Sequence, residues 1–227
     1  MSLFVISDLH LSLNADKPMN IFKGWEDYVE KIELNWRKTV NNNDVVVVPG
    51  DISWEMKLEN CTTDFKFIHS LPGTKIIMKG NHDLWWNSMK KMTDFLDENG
   101  FDSIKILHNN CYEYGDYALC GSRGWYFDDV ADDKILAREV GRIRTSLEAG
   151  LKTGKEPILF LHYPPRTKDA VCEDIMSVIK EYGVKRCYYG HIHGGGRYNV
   201  YNGEYDGTLF RCVSCDIMGF MPLIIEK

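Results

Sequence analysis

Short apolar runs alternate with longer amphipathic stretches along most of the chain. Runs at residues 3–6, 45–48, 75–78, 158–161 and 186–189 are too short for helices. They predict strands buried on both faces, as in a parallel or mixed sheet covered by helices. Between them apolar residues recur at helical spacing. Trp25, Tyr28, Val29, Ile32, Trp36 and Val40 predict a helix closed by the polar segment Asn41-Asn42-Asn43-Asp44. Met56, Cys61, Phe65 and Ile68 predict a second, and Met89, Met92 and Leu96 a third that stops before Gly100. A fourth is expected over 131–151, from Ile135, Leu136, Val140, Ile143 and Leu147. Val171, Ile175, Val178, Ile179 and Tyr182 predict a fifth, ended by Gly183. Residues 209–213 and 223–225 predict strands with no helix between them, so part of the sheet is expected to be antiparallel. No repeat, low-complexity tract or Pro/Ser-rich linker breaks this α/β pattern, and one domain over 1–227 is expected.

The polar residues that follow the five runs carry the chemistry. Ser7-Asp8-Leu9-His10 follows the first, Pro49-Gly50-Asp51 the second and Lys79-Gly80-Asn81-His82-Asp83 the third. His162-Tyr163-Pro164-Pro165 follows the fourth, and Gly190-His191-Ile192-His193 the fifth. In open α/β sheets ligands bind beyond the carboxyl ends of strands, so these five loops are expected to meet at one edge. Of 7 histidines, all but His69 and His108 fall in them. A single His after a strand is ordinarily a hydrogen-bonded structural residue. His10, His82, His162, His191 and His193 at equivalent positions, beside two Asp and one Asn, point instead to a metal centre.

Asp8, His10, Asp51, Asn81, His162, His191 and His193 over-supply one ion. Two ions sharing a bridging carboxylate and a bridging water use the whole set. Imidazole nitrogens with carboxylate and amide oxygens, and no thiolate, favour Mn, Fe, Zn, Co or Ni over Mg or Ca. Two dications against two carboxylates leave a cationic pocket, suited to an anion and to making hydroxide from bound water.

Composition narrows the class further. With 44% hydrophobic and 26% charged residues the chain has a globular make-up, and its net charge of −6 gives no reason to expect a nucleic-acid partner. No apolar run approaches the ~20 residues that span a bilayer. The first six residues lack a basic region and turn polar at Ser7-Asp8, unlike a secretory leader. The 7 cysteines are an odd, scattered set in apolar surroundings, which predicts reduced, buried thiols and a cytoplasmic protein. Cys212-x-x-Cys215 has the spacing of a zinc pair but no second pair nearby.

Asp8-x-His10, Gly50-Asp51, Gly80-Asn81-His82-Asp83, His162 and Gly190-His191-x-His193 resemble, in order and context, the five motifs of the calcineurin-like metallophosphoesterases. The resemblance runs from residue 8 to 193. It implies a two-sheet mixed β-sandwich flanked by helices, with a dinuclear metal site at the carboxyl ends of strands. It implies Asp8, His10 and His193 on one ion, Asn81, His162 and His191 on the other, and Asp51 between them. His82 would sit near the phosphate, with Asp83 orienting its ring. The Ser/Thr protein phosphatase branch carries an acidic-Arg extension after its GD and an Arg before its GNH. Here Gly50-Asp51 continues as Ile52-Ser53-Trp54-Glu55, and Lys79 precedes Gly80. The chain looks closer to the small prokaryotic phosphohydrolase and phosphodiesterase branch.

The expected reaction is hydrolysis of a phosphodiester or phosphomonoester by a metal-bridging hydroxide, on a small or nucleotide-like substrate. His82 would donate to the leaving alkoxide. Arg123, in the Gly-framed loop Gly121-Ser122-Arg123-Gly124, and Arg197, after the triple glycine, are candidate phosphate-binding residues. Trp54, Trp85 and Trp86 form either an aromatic wall for the substrate or core packing. A nuclease is the alternative enzyme. A non-catalytic scaffold of the same fold is the alternative outside enzymes, and the full ligand set with His82 speaks against it.

Overall fold

The computed structural model describes residues 1–125 and 133–227. In chain order its elements are β1 (Leu3–Val5), α1 (Tyr28–Thr39), β2 (Val45–Val48), α2 (Thr62–Ser70), β3 (Thr74–Ile77), α3 (Met89–Glu98), β4 (Ile104–Ile106), β5 (Cys111–Tyr114) and β6 (Tyr117–Ser122). They continue as α4 (Asp133–Leu151), β7 (Glu156–Leu161), α5 (Glu173–Glu181), β8 (Arg186–Tyr189), β9 (Gly203–Tyr205), β10 (Thr208–Cys212) and β11 (Leu223–Glu226). The strands sort into two sheets, ordered β11-β1-β2-β3-β4 and β5-β6-β7-β8-β10-β9. In each, central parallel strands are edged by an antiparallel partner: β11 on β1 in the first sheet, β5 on β6 and β9 on β10 in the second.

The two-residue period of a strand decides which layer each side chain enters. Leu3, Val5, Val47, Ile76 and Met78 of the first sheet meet Leu119, Ile158, Phe160, Tyr188 and Val213 of the second, forming the layer between the sheets. Their neighbours Phe4, Val46, Val48 and Ile77 point the other way, onto Ile32, Trp36, Phe65 and Met92 of α1, α2 and α3. Leu159, Leu161, Cys187 and Tyr189 point outward to Ile143, Leu147, Ile175 and Ile179 of α4 and α5. Both faces of both sheets are therefore covered, which is why the runs are continuous and not alternating. Burying one such aliphatic side chain contributes about 1.5–3 kcal/mol.

The helices follow the periodicity with local differences. α1 starts only at Tyr28, because Asp27 takes a left-handed backbone (φ 51°). Trp25 is thereby left outside the helix expected to contain it. Met56 is 55% exposed, and the second helical stretch begins as a 3-10 turn at Leu58–Cys61 before α2. Ser88 caps α3 by accepting the Lys91 N–H at 3.4 Å. Of the helix expected over 131–151, residues 133–151 are helical and 131–132 lie outside the described residues. The cysteines are free thiols, all buried except the half-buried Cys111. Cys215 donates to the Asp8 carbonyl and Cys212 has the Ile192 carbonyl and Ser214 hydroxyl as neighbours, so this pair serves packing beneath the Asp8 loop. Among the described residues no helix is long and apolar enough to cross a membrane.

Candidate metal centre

Because β1, β2 and β3 are adjacent and parallel, the loops that leave their carboxyl ends lie side by side. Backbone bonds lock them: the Asp8 N–H donates to the Gly50 carbonyl and the His10 N–H to the Asp51 carbonyl, at 3.1 and 3.0 Å. The second sheet joins across the Ser7 to Ser214 bridge and the Ser7 N–H to Val213 carbonyl bond of 2.9 Å. The loops after β7 and β8 thus face those after β1, β2 and β3.

Four residues at this edge have left-handed backbones although none is glycine: Asp8 (φ 60°), His10 (46°), Asp51 (52°) and His191 (69°). Such conformations persist only where the surroundings over-determine them, and they concentrate at functional sites. The glycines of the motifs answer to close approach. A Cβ on Gly80 would lie 2.1 Å from Asp51 Oδ1, and one on Gly190 2.2 Å from Ser7 Oγ and 2.7 Å from Asp8 Oδ2. Gly50 combines φ +93° with a Cβ position 2.8 Å from His162 Nδ1. Around Gly194 and Gly195, by contrast, a Cβ would meet nothing within 4 Å.

The resemblance gives Asp83 the task of orienting the His82 ring; the structure gives it another. Its carboxylate accepts the backbone N–H groups of Gly80 and Asp51 on one oxygen (2.7 and 2.9 Å) and of Ile52 and Ser53 on the other (2.8 and 3.3 Å). Asp83 therefore braces the loop after β2 from beneath. The reason is its complete burial: a carboxylate there must be satisfied by donors, and the loop after β2 offers three N–H groups and Gly80 after β3 a fourth.

The side chains above this brace converge. Asp51 Oδ2 lies 3.7 Å from His10 Nε2 and 3.5 Å from His162 Nε2. One donor atom each from Asp8, Asp51 and His162 falls within 4.8 Å of the others. Asn81 Oδ1 sits 2.6 Å from His162 Nε2 and 2.9 Å from His191 Nδ1. His162 Nδ1 lies 3.0 Å from the Pro49 carbonyl, an acceptor only, so the ring proton is on Nδ1 and Nε2 presents its lone pair to Asn81 and Asp51. Acceptors facing acceptors is the arrangement of a cation site, and a second-sphere carbonyl that fixes the tautomer is typical of ligating imidazoles. Two buried atoms, His10 Nε2 and Asp51 Oδ2, have no hydrogen-bond partner. Orphaned polar atoms of this kind are costly unless a partner satisfies them, and with His10 Nε2 unprotonated the donor set fits a transition-metal cation.

Electrostatics say the same. Burial pushes the Asp8 carboxyl up to about 6 against the opposing effect of His193. Burial, then Asp83 and Asp8, push Asp51 well above the usual carboxylate range. Burial, then His193, lower His10 well below the ordinary imidazole value, and burial with His191 does so for His162. Burial, then His193, bring His191 down to about 4. Neutral imidazoles beside carboxylates that resist ionisation describe a pocket short of positive charge.

Aromatic rings wall the centre. Trp54 stacks on His10 (4.9 Å, 22°) and leans on His82 (4.4 Å). Trp25, absent from the sequence-derived candidates, packs edge-on to His10 and His193 at 5.8 and 5.9 Å. Tyr163 packs on His191 at 4.5 Å. Trp85 is core, its indole N–H donating to the Ser53 carbonyl, while Trp86 is partly buried at the rim of a neighbouring cavity. Of the two arginine candidates, Arg123 stands close by: its carbonyl accepts the N–H groups of His162 and Tyr163. Arg197 pairs with Asp216 at 3.0 Å and is 57% exposed, beside a cavity that His193 and Trp25 also line. Pairing with Asp216 leaves it less suited to an anion than expected.

The family model for calcineurin-like phosphoesterases matches residues 1–195. The chain belongs to that family, whose members are metal-dependent hydrolases of phosphate esters. No curated protein sequence matches it. Among solved structures it is similar in fold to a phosphopantetheinyl hydrolase from Mycobacterium tuberculosis, at 15% identity and TM-score 0.56, over 94% of this chain and 89% of that one. It is also similar to a protein of unknown function from Aquifex aeolicus (16%, TM-score 0.52, 98% and 95% covered) and to a protein from Thermus thermophilus (12%, TM-score 0.58, 99% and 97%).

Proposed function

We propose that the chain is a dinuclear metallophosphoesterase acting on a small phosphodiester, with Asp8, His10, Asp51, Asn81, His162, His191 and His193 as metal ligands. The observation that carries this is the orphaned Asp51 Oδ2, nearly equidistant from His10 Nε2 and His162 Nε2. It stands where a carboxylate shared by two ions would stand. The rings on either side support the pairing: His10 with His193 (5.0 Å between centroids) beside Asp8, and His162 with His191 (5.3 Å) about Asn81. Manganese, iron, zinc, cobalt or nickel suits such donors. When bound, two such ions neutralise phosphoryl oxygens and provide hydroxide near neutral pH.

The protein groups have separate tasks. His162 is held in its ligating tautomer by Pro49, and Asp83 fixes the Asp51 loop. His82 is half-buried between Trp54 and the centre, its backbone N–H donating to Asp51 Oδ1. Burial, then His193 and Lys17, hold its ring below the ordinary imidazole value, so near neutral pH it offers the N–H of a neutral ring to the leaving oxygen. A diester is favoured over a monoester because two cavities flank the centre. One, lined by Met19, Phe22 and Trp25 beside His193, is mainly apolar; the other, about 300 Å³, is polar and reaches Arg123. The net charge of −6 makes nucleic acid the weaker choice of substrate.

Elemental analysis of the purified chain, with hydrolysis of bis(4-nitrophenyl) phosphate and 4-nitrophenyl phosphate under each of the five metals, tests the reading. Bound metal near two equivalents and faster diester hydrolysis are expected. No retained metal and no turnover with any of them would overturn it.

A further inference from the structure

The polar cavity beside Arg123 holds an excess of positive charge that the metal centre does not use. It lies over the carboxyl ends of β3 and β6, against α4, and is lined by Lys79, Arg123, Arg142, Glu139, Trp86 and His108 among others. Glu139 is fully buried. One of its oxygens accepts the Ser122 hydroxyl at 3.0 Å; the other is shared by a close ion pair with Arg142 and a longer one, 3.7 Å, with Arg123. One carboxylate thus serves two guanidinium groups. Lys79 adds a third cation, and among the described residues it has no carboxylate partner. Asp83, the next acid along, has both oxygens engaged by backbone N–H groups. Arg123 Nε is buried without an acceptor. Among the described residues, three cations against one carboxylate leave about two positive charges in a concave site of a protein whose net charge is −6.

A phosphoryl group carries about −1.5 to −2 charge near pH 7 and three acceptor oxygens, which matches this surplus; a carboxylate carries one charge and suits it less. The cavity is linked to the metal centre by chain connection and by backbone hydrogen bonds. Lys79 precedes Gly80-Asn81, and the Arg123 carbonyl holds the His162 and Tyr163 N–H groups. Trp86 supplies a flat wall. We infer that this cavity binds a second phosphoryl group of the substrate, so that the chain acts on small molecules carrying two phosphoryl groups, one cleaved and one held. The inference rests on the phosphoesterase reading above for the cleaved group, and on the cavity alone for the held one.

Inorganic phosphate is the probe, titrated by ³¹P NMR into the full-length chain stripped with EDTA. Without bound ions the metal centre, with its neutral imidazoles, has no positive charge to hold the anion, which leaves the Arg123 cavity to report. Saturable, salt-sensitive binding is expected, weakened at least tenfold by Arg142→Gln and by Lys79→Gln. Lys185→Gln, at an exposed lysine paired with Glu156, is the control and should bind phosphate as wild type does. Circular dichroism establishes that each variant is folded, and Arg142, 38% exposed in its side chain, tolerates glutamine sterically. Absence of saturable binding in the wild type overturns the inference, as does equal weakening in the Lys185 variant or none in folded Arg142 and Lys79 variants. Manganese-dependent diester hydrolysis without phosphate binding removes the cavity's role and leaves the phosphoesterase reading standing; binding without any hydrolysis does the reverse.

Discussion

His162 and Pro49 share a hydrogen bond of 3.0 Å that directs the ring's free lone pair at Asp51 and Asn81. The bond spans two sheets, since Pro49 follows β2 and His162 follows β7. It presets one donor before any ion arrives, which lowers the ordering cost of binding. The consequences of this preset geometry are measurable.

Asp51→Asn should abolish metal retention and activity together. The carboxylate proposed to be shared would become a neutral amide with one acceptor oxygen. Losing several kcal/mol of charge stabilisation corresponds to about 10³-fold or more in kcat/KM. Metal content measured beside kinetics decides it; a variant that keeps both ions would show that Asp51 is not shared.

His82→Ala should keep its metal and lose about 10²-fold in turnover on alkyl esters, with a smaller loss on nitrophenyl esters. The good leaving group needs no donor. An equal effect on both substrates would assign His82 to binding instead of hydrogen-bond donation to the leaving oxygen.

Metal affinity should fall with acid. Ions require ionised carboxylates and neutral imidazoles. The imidazoles of His10, His162 and His191 are already neutral well below pH 6, with His191 held at about 4. Asp8, raised to about 6 by burial, and Asp51, raised further in the same direction, must each release a proton. Manganese affinity should therefore drop at least tenfold per pH unit below about pH 6, with proton release on binding. Calorimetry in buffers of different ionisation enthalpy measures both. Affinity independent of pH between 5 and 7 would contradict these carboxyl shifts.

Gly80→Ala and Gly141→Ala should move stability in opposite directions. The first drives a methyl to 2.1 Å from Asp51 Oδ1, an overpacking that typically costs ~1–3 kcal/mol and lowers Tm by several degrees. The second lies inside α4 with nothing within 4 Å, where alanine typically gains about 0.5–1 kcal/mol. Thermal melts of the metal-free proteins compare them directly.

The carboxyl-end residues are readable in the sequence because each depends only on its neighbours: an apolar run, then Asp, Asn or His. The two-sheet arrangement comes through the resemblance, since two edges of one sheet and two separate sheets share the same local pattern. The bracing role of Asp83 is hidden because its partners Asp51, Ile52 and Ser53 lie about thirty residues away and are backbone groups, which leave no mark on residue type. Spacing places Trp25 on a helix face; the left-handed turn at Asp27 moves it under His10 and His193. The three-residue strands β4 and β9 are too short to show a period. Of the cationic cavity only Arg123 is visible in the sequence, because Lys79, Glu139 and Arg142 come together only when α4 packs across β6.

The proposed centre draws Asp8, His10, Asp51 and Asn81 from the sheet that holds β1, β2 and β3, and His162, His191 and His193 from the sheet that holds β7 and β8. Any ion gripped by both groups is a rivet through a laminate. Pulling the two halves apart would then require breaking coordinate bonds as well as parting the apolar layer between them. Mechanical and thermal resistance of this protein should accordingly track its metal load, making the proposed metal centre a fastener of the very fold that positions it.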